Sequence, residues 1–108
     1  MLFAQKIQAG EHFIFQFNTG AGYTLLGQII FAVAMNEEQF FMIDVCRGLD
    51  YVLKGNLKGM EAHDGAHFIR KQYDNHKIDM EYDYKERNQA KEILEVHIPI
   101  ALKRNMNH

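Results

Sequence analysis

The sequence predicts a mainly β fold, either a small antiparallel barrel or a strongly bent sheet of about six or seven strands with one short helix; an α+β fold is the alternative. Two observations support this. Several segments alternate apolar and polar residues with the period of a strand. Eight Phe and five Tyr stand against a single Pro, a composition that favours strands. The 108 residues fit one domain, 1–108, with enough chain to bury a core.

The centre of the predicted sheet is a hairpin over residues 23–46, where two apolar runs are joined by the polar break NEEQ at 36–39. Both faces of this hairpin are apolar, whereas strands in a sheet with one solvent-exposed face alternate apolar and polar residues. Both faces of the hairpin must therefore be buried, either by other segments of the same chain or by a partner. The residues predicted to form an interface on its second face are Leu26, Ile30, Phe40 and Met42.

The flanking segments supply the remaining strands. Met1 to Ile7 fits one helical turn or a short edge strand, and the spacing leaves both open. His12 to Asn18 alternates as a half-buried strand with only Ile14 off the pattern, and NTGAG at 18–22 is a turn. A short strand follows at 51–53.

The second half of the chain is predicted to hold one helix and two strands. Residues 60–75 have helical spacing, with Asp64 as a candidate cap. Residues 77–85 alternate as a strand with one acidic face, formed by Asp79, Glu81 and Asp83, which we interpret as solvated. Residues 94–102 also alternate, and Pro99 places this strand at an edge or a bulge.

Composition argues against several classes of function. A net charge of −2 gives no general attraction to nucleic acid or to an anionic membrane. Cys46 is the single cysteine, so the chain forms no internal disulfide and no cysteine zinc site, which fits a reducing, cytoplasmic location. No signal peptide or membrane span is evident, because the longest apolar run covers only residues 29–35.

The histidines give one candidate metal site. His63 and His67 stand four apart on the predicted helix, so both imidazoles would share one face. The alternative is a pair of surface histidines, since the HExxH pattern of a zinc enzyme is missing. No cofactor is predicted.

Other chemical motifs are weak. Gly20 and Gly22 follow a strand, but no helix follows them to bind a phosphate. Cys46 is interpreted as an inert buried cysteine rather than a nucleophile.

Two functions of different classes follow from the sequence. The first, which we favour, is a non-catalytic binding module that self-associates as a homo-oligomer, or binds another protein, through the second face of the hairpin. The second is a small-ligand-binding barrel, with or without catalysis, whose apolar pocket carries a few polar groups. The residues predicted to line that pocket are Phe13, Phe15, Phe17, Tyr51, Tyr82, Tyr84 and His97.

Overall fold

The protein is an open antiparallel sheet with a helix on each face. The computed structural model describes residues 3–18, 29–45, 48–75 and 84–106. Within them the elements are β1 (Phe3–Ala9), β2 (His12–Asn18), β3 (Ile29–Ala34), β4 (Gln39–Asp44), β5 (Leu49–Lys54), α1 (Ala62–Asp74) and α2 (Tyr84–Met106). The strands lie in the order β1-β2-β3-β4-β5, and each neighbouring pair is antiparallel. This is an α+β architecture.

Two short turns set the register of the sheet. Ala9 pairs with His12 across a two-residue loop whose first residue, Gly10, has a φ of 62°, the left-handed conformation that suits tight hairpins. Between β3 and β4, the Asn36 side-chain oxygen accepts hydrogen bonds from the backbone N–H groups of Glu38 (2.7 Å) and Gln39 (2.8 Å). This Asx turn explains how the polar break reverses the chain.

Each face of the sheet carries its own apolar cluster. On the first face, called the α1 face, Phe15, Phe17, Phe40 and Met42 pack with Ile69 of α1. On the opposite face, called the α2 face, Ile14, Phe31, Val33, Phe41 and Val52 pack with Ala90 and Leu94 of α2. Because strand side chains alternate, consecutive residues such as Phe40 and Phe41 are both fully buried, one in each cluster.

α1 packs against the sheet at very short range. A Cβ atom built on Gly65 would lie 2.3 Å from Cε1 of Phe15, so only glycine allows this approach. The helix begins after Glu61, which makes no side-chain cap hydrogen bond, and Asp64 lies in the first turn. Asp64 is therefore not the cap that the sequence suggested, although its charge is favourable at this end of the helix dipole.

α2 crosses the opposite face from β5 towards β1. Near its start, the Arg87 guanidinium lies 2.6 Å from the Asp50 carboxylate of β5, and the Lys91 ammonium lies 3.7 Å from the same oxygen. Further along, Ile93 and Val96 reach the turn between β1 and β2, next to Ala9 and Gly10. No helix in the described part of the chain is long and apolar enough to cross a membrane.

Several predictions from the sequence are confirmed. Residues 12–18 form a strand, the runs on either side of NEEQ pair as an antiparallel hairpin, and the predicted helix at 60–75 is α1. The N-terminal segment takes the edge-strand alternative as β1. β2 is more buried than predicted, because Ile14 packs in the cluster of the α2 face and Gln16 exposes only 2% of its surface.

Other predictions are wrong. The sheet is not closed into a barrel, since β1 and β5 lie at its two edges. The described residues form five strands, so the predicted count of six or seven is not confirmed. Residues 94–102 belong to α2 instead of a strand, and Pro99 lies inside that helix. Residues two apart in a helix lie on different sides of it. Alternate apolar residues therefore also fit a helix whose different sides contact different neighbours. The predicted strand at 77–85 lies largely outside the described residues, as does the turn at 19–22.

The tight contact at Gly65 gives a first test. Replacing a helical glycine with alanine ordinarily stabilises a helix by about 1 kcal/mol. Here we expect Gly65→Ala to lower the free energy of unfolding by about 1–3 kcal/mol, because the new methyl group collides with the buried Phe15 ring. Urea unfolding measures this, with the exposed His67→Ala as a control that changes stability by about 0.5 kcal/mol or less. A more stable Gly65→Ala protein would contradict the packing.

Candidate functional site

An open groove lies between α2 and the turn that joins β1 to β2. Its volume is about 470 Å³, and its lining residues are Gln8, Ala9, Gly10, Glu92, Ile93, Val96 and His97. We call it the α2 groove. A separate, smaller cavity of about 100 Å³ lies nearer the start of the helix and is lined by Ile93 with His12, Val33, Glu86 and Gln89. Ile93 lines both spaces.

α2 carries apolar residues on more than one side. Ala90 and Leu94 are buried, and half-buried Ile98 continues this stripe one turn later. Ile93 and Val96 form a second stripe, rotated towards the α2 groove. Ile93 is half-buried and packs against the core cluster of the α2 face, whereas Val96 exposes 62% of its surface. Of the second stripe, Val96 therefore presents apolar surface to solvent beside the groove.

Val96 differs from the other exposed large apolar residue of the described chain, Phe13, which is 43% exposed. The Lys6 ammonium lies 4.4 Å from the centre of the Phe13 ring, at cation–π distance. The same ammonium donates a hydrogen bond of 2.8 Å to the Met60 carbonyl. Phe13 thus has a partner in its own chain, on the opposite face of the sheet from the α2 groove.

The polar groups of the α2 groove lie around its apolar floor. Glu92 is exposed, and His97 is half-buried. The basic residues of this part of α2 point elsewhere, because Arg87 and Lys91 approach Asp50 on the sheet. The groove therefore combines apolar surface with one carboxylate, that of Glu92.

The structure places the predicted interface residues under α1. Ile30, Phe40 and Met42 expose 1% or less of their surfaces and pack with Ala66 and Ile69. A helix of the same chain occupies the position that the sequence analysis allowed for a partner. Leu26 lies outside the described residues.

The predicted pocket residues are divided between distant places. Phe15 and Phe17 are buried in the cluster under α1, with Tyr51 at its margin, and Phe13 is exposed near them. His97 lies in the α2 groove on the other face. Tyr84 begins α2, and Tyr82 is outside the described residues. Of this set, only His97 borders the recess.

Tyr51 contacts Tyr73 of α1, which in turn makes a polar contact with the sheet. Its ring meets the ring of Tyr73 edge-on, with centres 5.3 Å apart. The Tyr73 hydroxyl donates to the carboxylate of fully buried Asp44 at 3.4 Å. We interpret this as a structural contact, because a buried carboxylate needs hydrogen-bond donors.

His63 and His67 both lie exposed on α1. Within the described residues, no group of three or more His, Cys, Asp or Glu side chains is placed to hold a metal ion. His63 and His67 therefore offer two candidate ligands for a metal ion.

Ile93 and the role of Val96 were not predicted, because the alternation of residues 94–102 assigns Val96 to the apolar row of a strand. The available signal was the spacing Ala90, Leu94 and Ile98 beside Ile93, Val96 and Ile100. These are two interleaved sets with helical separations of three and four residues.

Comparison with known proteins adds no relative. No family model matches the sequence, and no curated protein or solved structure resembles it significantly.

The two stripes of α2 can be told apart by mutation. We expect Leu94→Ala to lower the free energy of unfolding by about 2–5 kcal/mol, since Leu94 is fully buried. Val96→Ser should change it by about 0.5 kcal/mol or less, because Val96 is largely in solvent. Thermal or urea unfolding of both variants measures the difference. Equal losses would contradict the rotation of α2 described above.

Proposed function

We propose that this protein is a non-catalytic interaction module that binds another protein chain through the α2 groove. The observation that carries the proposal is the exposure of Val96 on α2, which leaves 62% of its surface in solvent beside an open recess. An apolar surface of this kind, with a polar rim, is typical of a protein–protein contact.

The shape of the recess favours a chain over a small molecule. Small-ligand sites enclose most of the ligand surface. The α2 groove is open to solvent beside α2, and Ile93 separates it from the smaller cavity. An elongated partner, such as a helix with its own apolar stripe, fits an open recess along a helix flank.

The proposal keeps the class of function predicted from the sequence and changes the surface. Phe40 and Met42 are covered by α1, so a partner on that face would have to displace a helix. A partner that binds at Val96 would not have to displace a helix, because Val96 is exposed. The single cysteine, Cys46, keeps a reducing compartment such as the cytoplasm as the proposed location.

The surface can be tested with the neutral dye Nile red, whose fluorescence rises in apolar surroundings. At protein concentrations below about 1 µM, where weak self-association is negligible, we expect dye binding that Val96→Glu largely abolishes. Phe13→Ser is the matched control, because it removes an exposed large apolar side chain from the opposite face of the sheet. Equal dye binding by wild type and Val96→Glu would overturn the proposed surface.

A small apolar ligand is the second candidate, favoured by the presence of His97 beside a recess within the usual size range for ligand sites. A ligand with a hydrocarbon tail and an acidic head would lay the tail on Val96 and direct the head to the imidazole.

This second candidate makes its own prediction. Hexanoate, octanoate and decanoate should raise the melting temperature progressively with chain length, because each added CH₂ buries more apolar surface. His97→Ala should remove the effect, and Asn88→Ala, at an exposed position of the same helix that lines neither cavity, should not. Differential scanning fluorimetry provides the measurement, and no shift with any of the three acids would rule out this kind of ligand.

A further inference from the structure

We infer that His63 and His67 of α1 together bind one divalent transition-metal ion, such as Zn²⁺ or Ni²⁺, as a two-histidine chelate on the surface of the helix. α1 covers the face of the sheet opposite the α2 groove. The metal site is therefore separate from the surface of the proposed function and does not depend on it.

The two imidazoles share one side of the helix. α1 runs from Ala62 to Asp74, so both histidines lie within its first two turns. Residues four apart in a helix have Cβ atoms about 5–6 Å apart. From that separation, each side chain can bring one ring nitrogen within about 2 Å of the same ion, the length of a zinc–imidazole bond. The spacing therefore suits a chelate.

Both side chains are available for coordination. His63 and His67 are exposed, so the core holds neither ring. Within the part of the chain that the structure describes, neither imidazole makes a hydrogen bond, an ion pair or a ring contact. Coordination of a metal ion therefore replaces only contacts with water.

Packing fixes the backbone between the two ligands. The Phe15 ring lies against Gly65, where it leaves no space for a Cβ atom. Ala66 and Ile69 are buried in the same cluster, on the side of α1 that faces the sheet. A metal ion therefore meets a helix that is already formed and held in place. A preorganised pair of ligands binds more tightly than the same pair in a flexible peptide.

The type of ligand determines which metal the site takes. On the exposed positions around the pair, acidic Glu61 and Asp64 are offset by basic Arg70 and Lys71. This balance leaves little general attraction for a cation, so binding depends on the imidazole nitrogens. Imidazole suits Zn²⁺, Ni²⁺ and Cu²⁺, whereas Mg²⁺ and Ca²⁺ select oxygen ligands.

Thermal unfolding in the presence of metal ions tests the inference. We expect about 1 mM Ni²⁺ or Zn²⁺ to raise the melting temperature of the wild type by about 4 °C or more, because the ion binds the folded helix more tightly than the unfolded chain. The same concentration of Mg²⁺ should change it by less than about 1 °C. No rise with Ni²⁺ and Zn²⁺, or an equal rise with Mg²⁺, would overturn the inference.

Single substitutions locate the site. His63→Ala and His67→Ala should each remove most of the rise, because one imidazole alone forms no chelate. Both positions are exposed, so without metal both variants should melt like the wild type. His12→Ala is the matched control, since it removes an exposed histidine from β2 and should keep the full rise. A rise that survives in either α1 variant contradicts the site.

Moving the pair by one turn tests the spacing itself. Added to His63→Ala, the substitution Lys71→His places an imidazole four residues after His67, at an exposed position of α1, and should restore the rise. Asn88→His, added to the same variant, places a histidine at an exposed position of α2 with no histidine three or four residues away, and should not. Equal metal responses of the two double variants would show that the helical pair is not the site.

Discussion

The structure depends on one constraint: its sheet is apolar on both faces and must be covered on both. Phe40 and Phe41 are adjacent in the chain and point to opposite faces, yet both are fully buried. Burying one large apolar side chain contributes about 1.5–3 kcal/mol, so neither row could remain in water without a large loss of stability. The two helices satisfy this constraint, with α1 over Phe40 and Met42 and α2 over Phe41 and Phe31.

The two helices meet the constraint differently, and the difference explains why a surface is left over. α1 lies close to the sheet, where Gly65 makes room for Phe15. α2 is longer and is anchored near its start by Arg87 and Asp50. Its 23 residues extend for about 34 Å. Val96 lies away from the buried Ala90 and Leu94 on this helix, and its apolar side chain is left in solvent.

Much of the sheet was predictable because strand patterns are local. Residues 12–18 alternate, and the break at Asn36 separates two apolar runs, so β2 and the β3–β4 hairpin follow from their own residues. α1 was predictable from its helical spacing. The candidate site was not, apart from His97 and the expectation of an association surface. Its two walls, α2 and the turn at Gly10, are far apart in the sequence, and their meeting depends on how α2 crosses the sheet.

The sequence by itself determined that a hairpin apolar on both faces needs two covers, since this follows from a strand period of two. Only the tertiary structure decided which segments bury the two faces. The alternation from Leu94 to Leu102 fits a strand with one dry face, and it fits equally a helix with two apolar stripes. Leu94 is buried and Val96 exposed, as a helix against the sheet requires, whereas a strand would place both on one face. Local spacing cannot distinguish the two, because the difference lies in what each residue packs against.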